Sequence, residues 1–160
     1  MDPQVNDAFV QELNQHLGIA RKISRVYFHN PDDRQDAMQE MMYQLWRSYP
    51  RFDGRSKFST WMYRVCLNTA LTYKKKSAER NEPLSRVHGQ IPDEQGPVHT
   101  STEQLITAIG ELSPLNRAII MLYLDSMSYD EIAAITGLTK SNVSVRLVRI
   151  KRELEILLKK

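Results

Sequence analysis

The chain has 160 residues, 22 Lys and Arg against 19 Asp and Glu, and a formal charge of +3, which allows one domain or two small ones. Cys66 is the only cysteine and the four histidines are scattered without ligand spacing, so an internal disulfide is excluded and neither a metal nor a cofactor is expected. No apolar run is long enough to span a bilayer and the N-terminus has no apolar signal region, so membrane insertion is not expected and a cytoplasmic setting is.

The charge is unevenly spread. Residues 1–46 hold four Lys/Arg against seven Asp/Glu, whereas residues 140–160 hold seven Lys/Arg against Glu153 and Glu155. An acidic first third with basic segments later in the chain suits a protein partner at one end and a polyanion elsewhere.

Asp2-Pro3 is a cap followed by a first-turn proline, and Val5, Phe9, Leu13, Leu17, Ala20, Ile23 and Tyr27 then recur every three to four residues. That pattern predicts one amphipathic helix to about His29, loosened at Gly18. Asn30-Pro31-Asp32-Asp33 stops it and caps a second helix over about 33–48, ended by Pro50. Ala37, Met41, Leu45 and Ser48 trace its inner face, widened by Met38, Met42 and Trp46. The opposite face presents Asp33, Asp36, Gln39, Glu40, Tyr43 and Gln44, which suits either solvation or docking on a basic partner helix.

Asp53-Gly54 is a turn signal, and residues 57–76 then read as a third helix, with Ser56 as its cap. Phe58, Trp61, Met62, Val65, Leu67 or Cys66, and Leu71 suggest its apolar face, and Lys57, Thr60, Arg64, Asn68 and Lys75 largely the other. Trp61 taken alone reads as a core residue. The stretch as a whole interleaves Phe52, Phe58, Trp61, Tyr63 and Tyr73 with Arg55, Lys57, Arg64 and Lys74, Lys75 and Lys76. Rings beside cations are what a single strand needs, because bases stack on the rings while the cations follow phosphates. The candidate single-strand residues are Phe58, Trp61, Tyr63, Arg64, Asn68, Tyr73, Lys74 and Lys75.

From Ser77 to about His99 the apolar period disappears and Pro83, Pro92 and Pro97 intervene. A long structureless run inside a compact domain is uncommon. The expectation is therefore an all-α chain of two small helical domains, 1–78 and 101–160, joined by a flexible linker over 79–100.

Periodicity resumes at Thr100, which pairs with Glu103 as a capping box. Leu105, Ile109 and Leu112 mark one short helix, and Ser113-Pro114 opens another. Ser128 and Glu131 form a second capping box, Gly137 ends that helix, and Thr139 caps the last, whose inner face is Val143, Leu147, Ile150, Leu154 and Leu157. Helix, glycine turn and basic helix make a helix-turn-helix, in which the second helix enters the major groove. Its candidate duplex-reading residues are Lys140, Ser141, Asn142, Ser144, Arg146 and Arg149, with Asn suited to adenine and Arg to guanine. No nucleophile with a base and no phosphate-cradling loop occurs, so a non-enzyme is expected.

Taken together, the two halves resemble the extracytoplasmic-function sigma factors of bacterial RNA polymerase, in the sigma-70 superfamily. The resemblance rests on Asp36-Ala-Met-Gln-Glu40 with Leu45-Trp46; on Phe52-x-Gly54 with Phe58-x-Thr60-Trp61-x-Tyr63-Arg64 and Asn68; and on Leu112-Ser113-Pro114, Arg117, Tyr129-x-Glu131-Ile132-Ala133, Val143, Arg146, Leu147 and Arg149. Val145 and Ile150 in the last helix, and the lysines after Asn68, depart from the commoner family pattern. The resemblance implies core polymerase and promoter DNA as partners, with an anti-sigma factor as a further family expectation. It implies polymerase docking at Asp36, Gln39, Glu40 and Tyr43, −10 reading with strand opening by the aromatic-basic helix, and −35 reading by the helix-turn-helix. The rival readings are a helix-turn-helix regulator of duplex DNA that is not a sigma subunit, and a nucleic-acid-modifying enzyme.

Overall fold

The computed structural model describes residues 3–88 and 101–159, and side chains over 3–76 and 101–159. Every regular element among these residues is helical, and the chain divides into two compact units, residues 1–89 and 90–160.

The first unit begins with two helices where sequence periodicity suggests one, α1 (Pro3–Gln15) and α2 (Leu17–Tyr27). The break falls at His16, not at Gly18. His16 leaves helical geometry at φ −121°, ψ 15°, its Nδ1 lies 2.9 Å from the Glu12 carbonyl, and its ring packs 5.3 Å from Phe58. The side chain thus competes for backbone that an unbroken helix would use. Tighter i to i+3 bonds, His16 N–H to the Leu13 carbonyl and Ile19 N–H to the His16 carbonyl, carry the chain across the bend. Val5, grouped by periodicity with the inner residues, is exposed. The Asp2 cap lies outside the described residues.

Extended backbone at Phe28 ends α2, and Asn30 then caps α3 (Pro31–Ser48), its Oδ1 accepting the Asp32 N–H at 2.8 Å. Pro31 occupies the first turn, where no amide donor is needed, and Asp32 and Asp33 favour the helix N-terminus. A 3₁₀ turn at Tyr49–Arg51 follows, and Gly54 adopts φ +78° in the loop to α4. Ala37, Met41 and Leu45 of α3 pack with Ile23 and Tyr27 of α2 and Met62, Cys66 and Ala70 of α4 in the core; all are buried. Large side chains in such positions contribute roughly 1.5–3 kcal/mol each.

Helix α4 runs over Phe58–His88, well past the end expected at Lys76. Residues 77–82 include Ala78, Glu79, Arg80 and Glu82, good helix formers that show no apolar period and so leave nothing for a periodicity reading to follow. The first part of the expected linker, 79–88, is therefore helical, and 89–100 lies outside the described residues, as does the cap expected at Thr100.

The second unit holds α5 (Ser101–Gly110), α6 (Pro114–Leu124), α7 (Tyr129–Thr136) and α8 (Lys140–Lys159). Ser113 Oγ accepts the Asn116 N–H at 3.3 Å, and Ser128 and Glu131 exchange both capping-box bonds at 3.1 Å. Gly137 at φ +81° closes α7, and Thr139 Oγ1 accepts the Asn142 N–H at 3.1 Å to open α8. Leu112, Ile119, Leu122, Ile132, Leu147 and Ile150 form its fully buried centre.

Candidate nucleic-acid and polymerase interfaces

On α3 the narrow strip Ala37, Met41, Leu45 takes the whole of the buried face, and Asp36, Gln39, Glu40 and Tyr43 are all exposed. Glu40 accepts a hydrogen bond from Gln44 at 2.9 Å, and the Tyr73 hydroxyl of α4 reaches Asp36 Oδ2 at 3.5 Å. Sequence periodicity groups Trp46 with the inner face, but its neighbour Leu45 fills the core and Trp46, one position further round, is 50% exposed. Tyr43 and Trp46 stand three residues apart and so share one side of the helix. Tyrosine and tryptophan are residue types enriched at binding hot spots.

The aromatic-basic stretch is arranged differently from the expectation. Phe58, Met62, Cys66 and Ala70, with Tyr63 and Leu67, form the buried stripe of α4, so Phe58 and Tyr63 are inside and Trp61 is half-buried at the margin. Tyr63 is only 1% exposed. Its ring can be buried because its hydroxyl has a partner, accepting from Lys22 Nζ at 3.4 Å. Thr60 is also buried, not on the outer face. Of the apolar face expected from the sequence, Phe58, Met62, Cys66 and Leu67 are buried, whereas Trp61, Val65 and Leu71 fall at its margin, because a one-residue step turns a helix by roughly 100°.

What this leaves at the surface is a continuous aromatic rim. Tyr49, Phe52 and Trp61 are half-buried above Phe58, with ring centroids 6.1 Å apart for Tyr49 and Phe52, 5.1 Å for Phe52 and Trp61, and 5.4 Å for Phe58 and Trp61. Phe9 supports it from α1, 4.8 Å from Tyr49. Arg51, Arg55, Lys57 and Arg64 of the same segment are exposed, and Asp53 holds Arg55 through its N–H at 3.0 Å and its Nε at 3.1 Å. Tyr49 was missed in the sequence; its signal is its place beside Pro50, one turn from Phe52.

Further along α4, Asn68 and Lys75 are exposed, whereas Tyr73 and Lys74 are half-buried. Tyr73 meets Phe28 edge-on at 5.5 Å. Lys74 Nζ donates to the Tyr27 carbonyl at 2.9 Å and lies 5.8 Å from the Phe28 ring. In the free chain Lys74 thus satisfies the open end of α2, a structural task that Lys75 does not share.

On α8, Lys140, Ser141, Asn142 and Arg149 are exposed, and Ser144 and Arg146 are half-buried. Arg146 bonds two amide side chains, Nε to Asn142 Oδ1 at 3.0 Å and Nη1 to Asn116 Oδ1 at 3.2 Å. Asn116, at the start of α6, was not a sequence candidate, although its Oδ1 accepts from Arg146, which was. Lys140 pairs with Asp130 at 3.7 Å. Lys151 Nζ donates to the Tyr123 hydroxyl at 3.0 Å and sits 4.3 Å over its ring, and that hydrogen bond raises the lysine's pKa.

Residues 11–80 match the family model for sigma-70 region 2, and residues 102–154 that for sigma-70 region 4. The chain is 30% identical over 139 residues to the ECF RNA polymerase sigma-E factors of Escherichia coli strain K12 and Salmonella typhimurium strain LT2, covering 77% of this chain and 72% of those proteins. The chain belongs to the extracytoplasmic-function sigma factors. It is thus a sigma factor of RNA polymerase, a transcription initiation factor that directs the polymerase to promoters. The sigma-E factor of Haemophilus influenzae is 27% identical over the same length. Two solved structures share the fold of this sigma factor. One is the sigma factor RpoE with the anti-sigma factor NepR from Bartonella quintana, at TM-score 0.74 and 23% identity over 95% of this chain and 97% of that one. The other is CnrH with the cytosolic domain of CnrY, at TM-score 0.69 and 22% identity over 96% of this chain and 89% of that one. No helix among the described residues is long and apolar enough to cross a membrane.

Proposed function

We propose that the three faces divide the work of promoter recognition. The outer face of α3, with Asp36, Gln39, Glu40, Tyr43 and Trp46, docks on core polymerase. The rim of Tyr49, Phe52 and Trp61, with Arg64, Asn68 and Lys75 along α4, holds unpaired bases of the −10 element and favours strand opening. The first turns of α8 read the −35 element as duplex, with Asn142, Arg146 and Arg149 at base edges and Lys140 at phosphate. Phosphodiester chemistry belongs wholly to polymerase under this reading, and the protein works in the cytoplasm where polymerase is. An anti-sigma partner is a further proposal, supported by the solved neighbour captured with one.

The observation that carries the reading is the half-exposed aromatic rim beside four exposed cations. Binding duplex DNA alone does not call for such a rim. Bases, by contrast, gain roughly 1–3 kcal/mol each by stacking on such rings once strands separate. The test is reconstitution. The full chain, mixed with core polymerase, should co-elute with it and give run-off transcripts from a defined set of start sites that core enzyme alone does not use. Co-elution without specific initiation would leave docking intact and sink the DNA assignments; failure to co-elute would sink the docking face.

A further inference from the structure

The outward side of α8 is not uniformly polar. Val143, Leu147, Ile150 and Leu154 are buried and fix which side meets the core. Turned away from them are Ser141, Asn142, Arg149 and Arg152, all exposed, and among these stand Val145 at 52% and Val148 at 51% exposure. Valine is a poorer helix former than the Lys, Arg or Glu that usually occupy such positions, and here it also leaves methyl groups in water. The setting indicates what could cover them. Lys140, Arg146, Arg149, Lys151 and Arg152 flank the pair on the same helix, which suits a polyanion. The Thr139 cap and the bonds from Arg146 to Asn142 and Asn116 hold the neighbouring polar groups in place without the DNA.

The one apolar group that base edges offer in the major groove is the C5 methyl of thymine. We propose that Val145 and Val148 are specificity residues of α8, each packing on a thymine methyl beside the bases bonded by Asn142 and Arg149. The proposal rests on α8 reading duplex DNA as set out above. It explains why two β-branched apolar residues occupy a face that solvation alone would fill with charge.

Deoxyuridine offers the test, because it keeps every hydrogen-bonding edge of thymidine and removes only the methyl. The full chain with core polymerase would first be used to select its preferred upstream duplex from randomised DNA. Each thymine of that duplex is then replaced singly by deoxyuridine. Affinities are measured by competition for the wild type, Val145→Ala and Val148→Ala, with Val145→Thr as a variant of nearly the same shape. Loss of one buried methyl contact is worth about a fourfold change. The expected result is one or two thymines whose replacement weakens wild-type binding by about that factor, with the effect gone at that position in the matching alanine variant. Equal sensitivity in wild type and both alanine variants, no sensitivity at any thymine, or a selected duplex without thymine overturns the proposal while leaving duplex reading intact. If the wild-type holoenzyme selects no upstream sequence at all, duplex reading by α8 fails and the valine contacts fail with it. Both valines lie outside the core, so unchanged circular dichroism should accompany every variant.

Discussion

Arg146 and Asn142 are bonded to each other before any DNA arrives, guanidinium Nε to amide Oδ1 at 3.0 Å across one turn of α8. The bond leaves the Asn142 amide NH₂ directed elsewhere and restrains a flexible arginine, so less entropy remains to be lost on binding. Asn142→Ala should therefore have two effects, removing the proposed base contact and loosening Arg146. Its expected cost is roughly 1–3 kcal/mol on the best site, with relaxed specificity at one or two base pairs. Lys140→Ala should instead weaken all sequences alike and lower the salt slope by about one. Competition binding of the holoenzyme to single-base variants at two salt concentrations separates these outcomes, and a uniform loss from Asn142→Ala would contradict the assignment.

The polymerase docking proposed for the outer face of α3 gives a prediction in two parts. Charge reversal at Asp36 and Glu40 should cost a few kcal/mol of complex stability, as disrupted interfacial charge pairs do. Trp46→Ala should cost about 2 kcal/mol or more if the exposed ring is an anchor. Neither change touches Ala37, Met41 or Leu45, so thermal unfolding should be nearly unaltered. Wild-type affinity for core enzyme in both variants would remove α3 as the docking surface.

Helix α6 ends in a Schellman motif with an unusual occupant. Met127 N–H bonds the Leu122 carbonyl at 3.1 Å, Ser126 N–H bonds the Tyr123 carbonyl at 3.0 Å, and Ser126 takes φ +66°. Glycine adopts that conformation without steric cost, whereas an L side chain does not. Ser126→Gly should therefore stabilise the second unit by about 1 kcal/mol, read as a raised denaturation midpoint with unchanged slope. A lowered midpoint would show that the serine makes a compensating interaction.

Burial pushes the Cys66 thiol up to about 12 from an ordinary 9.0. The folded state therefore holds the neutral thiol where the unfolded state begins to lose its proton. That contribution to stability is fully present below pH 9 and is lost as pH rises from about 9 towards 12. At neutral pH the folded protein should resist iodoacetamide, and labelling should track unfolding by denaturant. Rapid labelling of the native chain would contradict the burial.

The sequence was most legible where chemistry is local. Ser113, Ser128, Gly137 and Thr139 each announce a helix boundary through their own backbone preference, and each does so in the structure. The inner residues of α8 follow the helical period as expected. The reading failed where a single residue decides between two nearly equal faces. His16 breaks a helix that periodicity runs straight through, because its bond to the Glu12 carbonyl is a matter of side-chain geometry. Tyr63 reads as an exposed polar aromatic, yet Lys22, distant in sequence, supplies the partner that lets it be buried. Trp46 and Trp61 read as additions to apolar faces that also hold Leu45 and Met62, because their spacing is helical, and the core takes the leucine and the methionine but leaves both indoles partly exposed. Asn116 is unmarked in the sequence because its role depends on α6 and α8 meeting.

If the rim of Tyr49, Phe52 and Trp61 grips bases once strands part, truncating Trp61 should impair opening directly. Full-length holoenzyme is mixed with a promoter carrying a fluorescent base analogue in the non-template −10 region, and opening is followed for wild type, Trp61→Ala and Phe52→Ala. Because both rings are half-buried at the margin, the fold should survive these changes, whereas Phe58→Ala or Tyr63→Ala would remove core rings at roughly 3–5 kcal/mol. Closed complexes should form normally and opening should lose roughly 1–3 kcal/mol per ring, nearly independent of salt, while Lys75→Ala weakens binding in a salt-dependent way. Wild-type opening in both rim variants, with the protein folded and bound to polymerase, would contradict base gripping by the rim.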